Sequence, residues 1–294
     1  MPEFVYVANS GANSVSVIST ATESVATTVP TQKGPTACSV DSGAGKAFVI
    51  NSASSTVSVI DTATHAVIGT PINVGAAPAS VVANPNGSAV YVLIVNPAHL
   101  APIDPSTDAV GAAIPAGVVP QGLAVSSDGA DLYVADLGNS DVVKINTSTL
   151  AEQTSAKLGF GPSQLAVNPA NTSLYVLNYV GNSVAIVDTA TLTKTATIPV
   201  GQGPDGIAVV SQSGHVYVAT QGAGVYAIDP SSKTVIAQIT VGFDPAGLAA
   251  TRDGRAVYAA NFSSGTVSVI DTATNTVSAT IPTGTSSGPK GICL

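Results

Sequence analysis

The chain of 294 residues has no tryptophan, one methionine and two cysteines, and only 9% of it is charged. Each shortage narrows what the protein can be. Two cysteines, Cys38 and Cys293, make neither a disulfide scaffold nor a zinc site. Nine basic residues against seventeen acidic ones leave a net charge of −8. No basic stripe can be assembled from them to displace counterions, so duplex nucleic acid is excluded as a partner. No apolar run reaches the roughly 18 residues of a membrane span, so no membrane insertion is expected. The opening MPEFVYVANS lacks a basic n-region and an apolar h-region and reads as a first strand, not a signal peptide. That fits either an intracellular protein or a mature chain whose leader was removed. No Ser-His-Asp arrangement, phosphate loop or Cys/His metal spacing occurs, so neither metal nor cofactor is expected.

What the chain does have is a period. The string Tyr-Val-Ala-Asn and its variants recur at Tyr6, Phe48, Tyr91, Tyr133, Tyr175, Tyr217 and Tyr258, in steps of 42, 43, 42, 42, 42 and 41 residues. A second string, V-S-V-I-D-T-A-T, follows at a fixed offset, as in Val57–Thr64 and Val267–Thr274. A third, G-x-x-P-x-G-[IL]-A, surrounds Pro204, Pro245 and Pro289. Between these lie apolar runs of four to six residues, rich in Val, Ile, Tyr and Thr and bounded by Gly, Pro, Asn and Asp. No 3.6-residue period appears. Four short strands per unit of about 42 residues predict the blades of a propeller. Seven units consume the chain, so residues 1–294 are expected to form one all-β, seven-bladed domain and to be monomeric. The chain starts inside a second strand and stops inside a first strand. One C-terminal strand should therefore complete the blade that three N-terminal strands begin, leaving no open edge.

The turns have a chemical reading as well. Asp61, Asp104, Asp188, Asp229 and Asp271 sit where a side chain can fold back on the backbone two residues on. Asp128 and Asp253 precede Gly in hairpin turns. These acids are assigned to structure.

The strings YVANSGANSVSVI, TVSVIDTAT and YAANFSSGTVSVIDTATNTVSATIPTG resemble the YVTN-repeat family of β-propellers over the full chain. The resemblance implies the fold and often a bacterial or archaeal cell-surface or envelope setting. It implies no single activity. Some such relatives are surface-layer or adhesion modules, one is a periplasmic DNA binder, and some are enzyme subunits. More distant propeller relatives include metal-dependent lactonases, whose acid ring is not recognisable here, and streptogramin lyases.

Departures from the repeat mark the candidate site. The residue after the connector proline is Thr36, Ala79, Gln121, Ser163, Asp205, Ala246 and Lys290 in the seven units. It should ring the upper mouth of the central channel. The next position is usually Gly but is Ser80 in one unit and Gln164 in another, and the last position of Tyr-Val-Ala-Asn is Asp136 in one unit. Four aromatics outside the repeat pattern, Phe160, Tyr179, Phe243 and Phe262, fall in loops of the same, top face. Exposed aromatics beside convergent polar groups are what a ligand site needs. The ligand-binding candidates are therefore Gln121, Ser163, Gln164, Asp136, Asp205 and Lys290, with Phe160, Tyr179, Phe243 and Phe262 as apolar contacts. His99, Asp205 and Lys290 are the groups available for catalysis. His65 and His215 are read as solvated residues of the bottom face.

The leading reading is a rigid disc whose top face holds a protein, a glycan or a small ligand. The alternative is a lyase, isomerase or cyclase acting on a small apolar molecule at the channel mouth. Cys38 and Cys293 fall on neighbouring inner strands at the ring closure, at offsets of opposite parity from their connector prolines. They either face each other across the blade interface or point apart. Two buried thiols in core positions is the preferred reading, with a disulfide as its alternative.

Overall fold

The computed structural model describes residues 3–159, 161–222, 224–284 and 286–294. Its strands form seven antiparallel sheets of four, arranged as a seven-bladed propeller. The innermost strands are Pro289–Cys293, Pro35–Asp41, Pro78–Ala83, Pro120–Val125, Pro162–Val167, Pro204–Val209 and Pro245–Ala250, for blades 1 to 7 in turn. Each opens on the connector proline. A proline cannot donate to a ladder and is tolerated at the first position of a strand.

Burial follows from where each strand sits. The second and third strands of a blade are covered on both faces by neighbouring blades. Phe4–Asn9 and Ser14–Ser19 are accordingly buried almost throughout. The outermost strands are half covered, and Ser24–Pro30 and Thr276–Pro282 alternate exposed and partly buried residues, with Ser and Thr facing water. Each of the seven blade interfaces holds its own apolar cluster. The repeat aromatic of one blade lies in the cluster shared with the next, as Tyr6 does with Ala47, Val49 and Ile60 of blade 2. Its hydroxyl reaches the bottom turn of that next blade: Tyr6 is 3.0 Å from His65 Nδ1, and Tyr217 donates to Asn275 Oδ1 at 2.6 Å. His65 is therefore not a solvated surface residue. It is half-buried between blades 1 and 2, its ring edge-on to Phe4 at 4.4 Å between centroids. His215 is likewise half-buried, with Nδ1 enclosed.

The ring closes as the split repeat requires. Pro289–Cys293 pairs with Phe4–Asn9 in the register Tyr6↔Cys293, Val7↔Ile292 and Ala8↔Gly291. The preference for two free thiols is overturned. Cys38 and Cys293 are bridged, with Cα atoms 5.7 Å apart. Register explains why. Cys38 opposes Val49 in its blade as Ile292 opposes Val7 in blade 1. Cys293, one residue further, therefore leaves blade 1 on the side that faces Cys38.

The inner strands meet so closely that the motif glycine has a steric reason. A Cβ on Gly206 would lie 1.9 Å from the carbonyl oxygen of Ala246 in the next blade, and one on Gly122 would lie 2.1 Å from that of Ser163.

The aspartate turns are built as the sequence suggests. Asp61 Oδ1 accepts from the backbone N–H of Ala63 and Thr64 and from the Thr64 hydroxyl. In blade 4 Asn146 does the same work for Ser148 and Thr149. The Ser231 hydroxyl and N–H hold the exposed Asp229 carboxyl down at about 2. Asp61, Asp104, Asp188 and Asp271 are lowered by equivalent hydrogen bonds. A carboxylate lowered in the folded state contributes stability above its unfolded value of about 3.9, and that contribution is lost as pH falls through the folded value. The melting temperature should fall between about pH 4 and pH 2. A variant with all five aspartates changed to Asn, which Asn146 shows the turn accepts, should lose most of that decline. An undiminished decline in the variant would assign the acid sensitivity to other groups.

Candidate functional site

The innermost strands leave an axial cavity of about 740 Å³ that residues of all seven blades line. Its wall has two tiers. The upper tier is a collar at the residue after the connector proline: Thr36, Ala79, Gln121, Asp205, Ala246 and Lys290, with Gln164 beside them. Two residues deeper lies one side chain per blade, Cys38, Val81, Leu123, Leu165, Ile207, Leu248 and Ile292. This aliphatic ring is the Ile/Leu of the G-[IL]-A motif. Each of its members also packs into, or against, one of the seven interface clusters. The sequence displayed the motif, but which side of a strand faces the axis became visible only with the blades assembled. Cys38 is the exception in the ring, so the disulfide lies at the cavity wall.

Of the residues singled out from sequence, Gln121, Gln164, Asp205 and Lys290 come together on this wall. Asp205 is half-buried and forms no hydrogen bond or ion pair with any described residue. Burial pushes its carboxyl up, while the Lys290 charge pulls it back down. Lys290 itself is exposed.

Other candidates go elsewhere. Ser163 leaves the wall and donates its hydroxyl to the Leu177 carbonyl at 3.4 Å. Asp136 is fully buried, which corrects its reading as a ligand contact. Its carboxylate accepts from the N–H groups of Val118, Val119 and Gly138 at 2.9, 2.7 and 3.0 Å, and from Asn139 Nδ2 at 2.9 Å. An acid there staples the connector between blades 3 and 4. His99 lies on the third strand of blade 3, away from the cavity, and its Nδ1 donates to the Pro97 carbonyl at 2.7 Å. Phe160 lies outside the described residues. Tyr179, Phe243 and Phe262 stand on the top rim, exposed by 41%, 79% and 43%, and none of them lines the cavity. Tyr179 accepts a hydrogen bond from Gln221 of the next blade at 3.1 Å. The sequence reading missed Val118, Val119, Leu137 and Val180, which are also exposed on top. Apolar loop residues of this size carry no sequence signal that separates them from core.

No group of three potential metal ligands occurs among the described residues, and no helix among them is long and apolar enough to cross a membrane.

Fold and cavity together define a seven-bladed β-propeller with an axial pocket. Comparison with known proteins places it among such propellers without narrowing it further. The profile of the Cytochrome D1 heme domain family matches residues 168–290, which is the three outer strands of blade 5, blades 6 and 7, and the start of the closing strand. Hydrazine synthase from Kuenenia stuttgartiensis superposes with a TM-score of 0.81 at 21% identity, covering 91% of this chain and 92% of that one. A functionally unknown protein from Desulfotomaculum acetoxidans DSM 771 gives 0.85 at 17% identity, over 99% and 98% of the two chains. A protein from Lactobacillus plantarum gives 0.83 at 15% identity, over 99% of each chain. These likenesses are of fold. No curated protein matches the chain in sequence.

Proposed function

We propose that the chain is a binding module that takes its ligand at the top of the axial pocket. Gln121, Gln164, Asp205 and Lys290 would form the polar contacts, and Tyr179, Phe243 and Phe262 an apolar rim for a protein, glycan or small molecule. The observation that carries this reading is Asp205, a half-buried carboxylate without a partner, facing a cavity of about 740 Å³. Withdrawing such a group from water is unfavourable unless something pairs with it, and a ligand is the partner available. Kinship with the YVTN-repeat propellers and an extracytoplasmic setting belong to the same proposal. The setting is supported by the disulfide, since such bridges persist in oxidising compartments.

The haem named in the matching family profile does not fit this wall. Axial ligation needs His, Met, Tyr or a Cys thiolate. None of the first three lines the cavity, and Cys38 is bridged.

A second reading, a lyase, isomerase or cyclase acting on a small apolar molecule, is favoured by one observation. Burial raises the Asp205 carboxyl, the direction a general acid–base needs, and the Lys290 ammonium stands across the blade 7 strand from it.

A thermal-shift screen of metabolites and glycans tests the binding site. It is run in parallel on the native chain, on Ala246→Trp to fill the mouth, and on His65→Ala as a bottom-face control. Ligands at saturating concentration should raise the melting temperature. Shifts lost in Ala246→Trp and kept in His65→Ala support the pocket. Shifts that survive Ala246→Trp place the site elsewhere.

A further inference from the structure

The two charges of the collar stand on blades with one blade between them and form no ion pair. Asp205 stands on the innermost strand of blade 6 and Lys290 on that of blade 1. Between them lies the strand of blade 7, which carries only the methyl of Ala246 at this level. Asp205 and Lys290 form no ion pair, yet the Lys290 charge is felt at the Asp205 carboxyl. The width of the blade 7 strand therefore separates them by a gap too wide for contact. Directly below, the same three blades present bare backbone at Gly206, Gly247 and Gly291, then the aliphatic side chains Ile207, Leu248 and Ile292. Nowhere else on the wall do opposite charges overlie aliphatic side chains.

We propose that this sector binds a free α-amino acid with an aliphatic side chain. The inference rests on the reading of the axial pocket as the ligand site and names its ligand class. The ammonium would pair with Asp205 and the carboxylate with Lys290 across the Ala246 gap. The side chain would point down past the glycines onto Ile207, Leu248 and Ile292. A zwitterion is the one small headgroup that satisfies both unpaired charges at once. An anionic amphiphile would leave Asp205 unpaired beside a like charge. A cationic one would leave Lys290 facing its ammonium. The aliphatic floor then selects among amino acids by apolar burial, since a hydrophobic side chain gains about 25 cal/mol per Å² removed from water.

Titration calorimetry on the full chain tests this with four probes: leucine, 4-methylpentanoate, which lacks the ammonium, 3-methylbutylamine, which lacks the carboxylate, and glycine, which lacks the side chain. Leucine should bind at least about tenfold tighter than each of the others, the equivalent of about 1.4 kcal/mol. Asp205→Asn should erase its advantage over 4-methylpentanoate, and Lys290→Met its advantage over 3-methylbutylamine, with native-like melting temperatures in both variants. Three results overturn the proposal: no binding of leucine, an analogue that binds as tightly, or a preference that survives its variant. Should leucine fail while the screening shifts still vanish in Ala246→Trp, the pocket stands and only the amino-acid assignment falls. Should those shifts survive Ala246→Trp, the pocket itself falls.

Discussion

Removing the closing strand, residues 289–294, should open the ring and give the largest loss of stability of any local change to this chain. That strand supplies the fourth strand of blade 1, pairing along Tyr6, Val7, Ala8 and Asn9. It also supplies Ile292, which packs in the cluster between blades 7 and 1, and Cys293, which packs between blades 1 and 2. Loss of the Ile292 side chain alone is worth about 2–5 kcal/mol at a core position. Loss of the bridge adds about 5 kcal/mol by the argument below, and the freed ladder groups of Phe4–Asn9 would face a gap instead of a partner. Together these rival the whole stability of an ordinary domain, about 5–15 kcal/mol. The truncated chain should melt far below the native one, or associate through its open edge. Circular dichroism melts with size-exclusion chromatography decide it. A truncated monomer that melts within a few degrees of the native chain would refute closure by this strand.

Breaking only the Cys38–Cys293 bridge should have the second largest effect. The bridge spans a sequence separation of 255 residues and so closes nearly the whole chain. Cross-linking so long a loop removes conformational freedom from the unfolded state worth about 5 kcal/mol in the chain-entropy account. In a chain of this size each kcal/mol moves the melting temperature by roughly 2 °C, so a drop of roughly 10 °C is expected. Cys38→Ser, Cys293→Ser and reduction of the native protein should agree, because all three remove the same loop. Refolded reduced protein should still show a propeller spectrum, since the ladder and Ile292 remain. Thiol counting on unfolded, unreduced protein is the direct check. Two free thiols would remove the bridge and this prediction together. The pair of experiments also separates the two contributions, for the truncation should exceed the bridge loss by at least the Ile292 share.

Much of this architecture was legible before any coordinates. The aromatic of Tyr-Val-Ala-Asn at intervals of about 42 residues, the four short apolar runs per interval and the split first unit were enough for seven blades and their closure. They are enough because a propeller blade is a local object. Apart from the closing strand, each strand pairs with its sequence neighbour, and the aspartate turns are built from residues two or three apart, as Asp61 with Ala63 and Thr64. Part of the pocket was legible for the same reason. A position fixed relative to the connector proline in every unit must recur around the axis, and Gln121, Asp205 and Lys290 do.

What only the tertiary structure decided are contacts between blades, which no local pattern encodes. Asp136 and Asp205 are both acids that depart from the repeat. One is buried under four hydrogen bonds that staple a connector, and the other lacks a partner beside a cavity. The difference lies in which backbone N–H groups a neighbouring loop brings within reach. His65 looked like a surface residue because Tyr6, its partner, is 59 residues away. The disulfide needed the register of two strands at opposite ends of the chain. Parity left two orientations, and the pairing of Ile292 with Val7 and of Cys38 with Val49 selected one. Period and pairing are written in neighbouring residues. Which side chains meet across an interface depends on register and twist summed over the ring, and only the closed ring settles it.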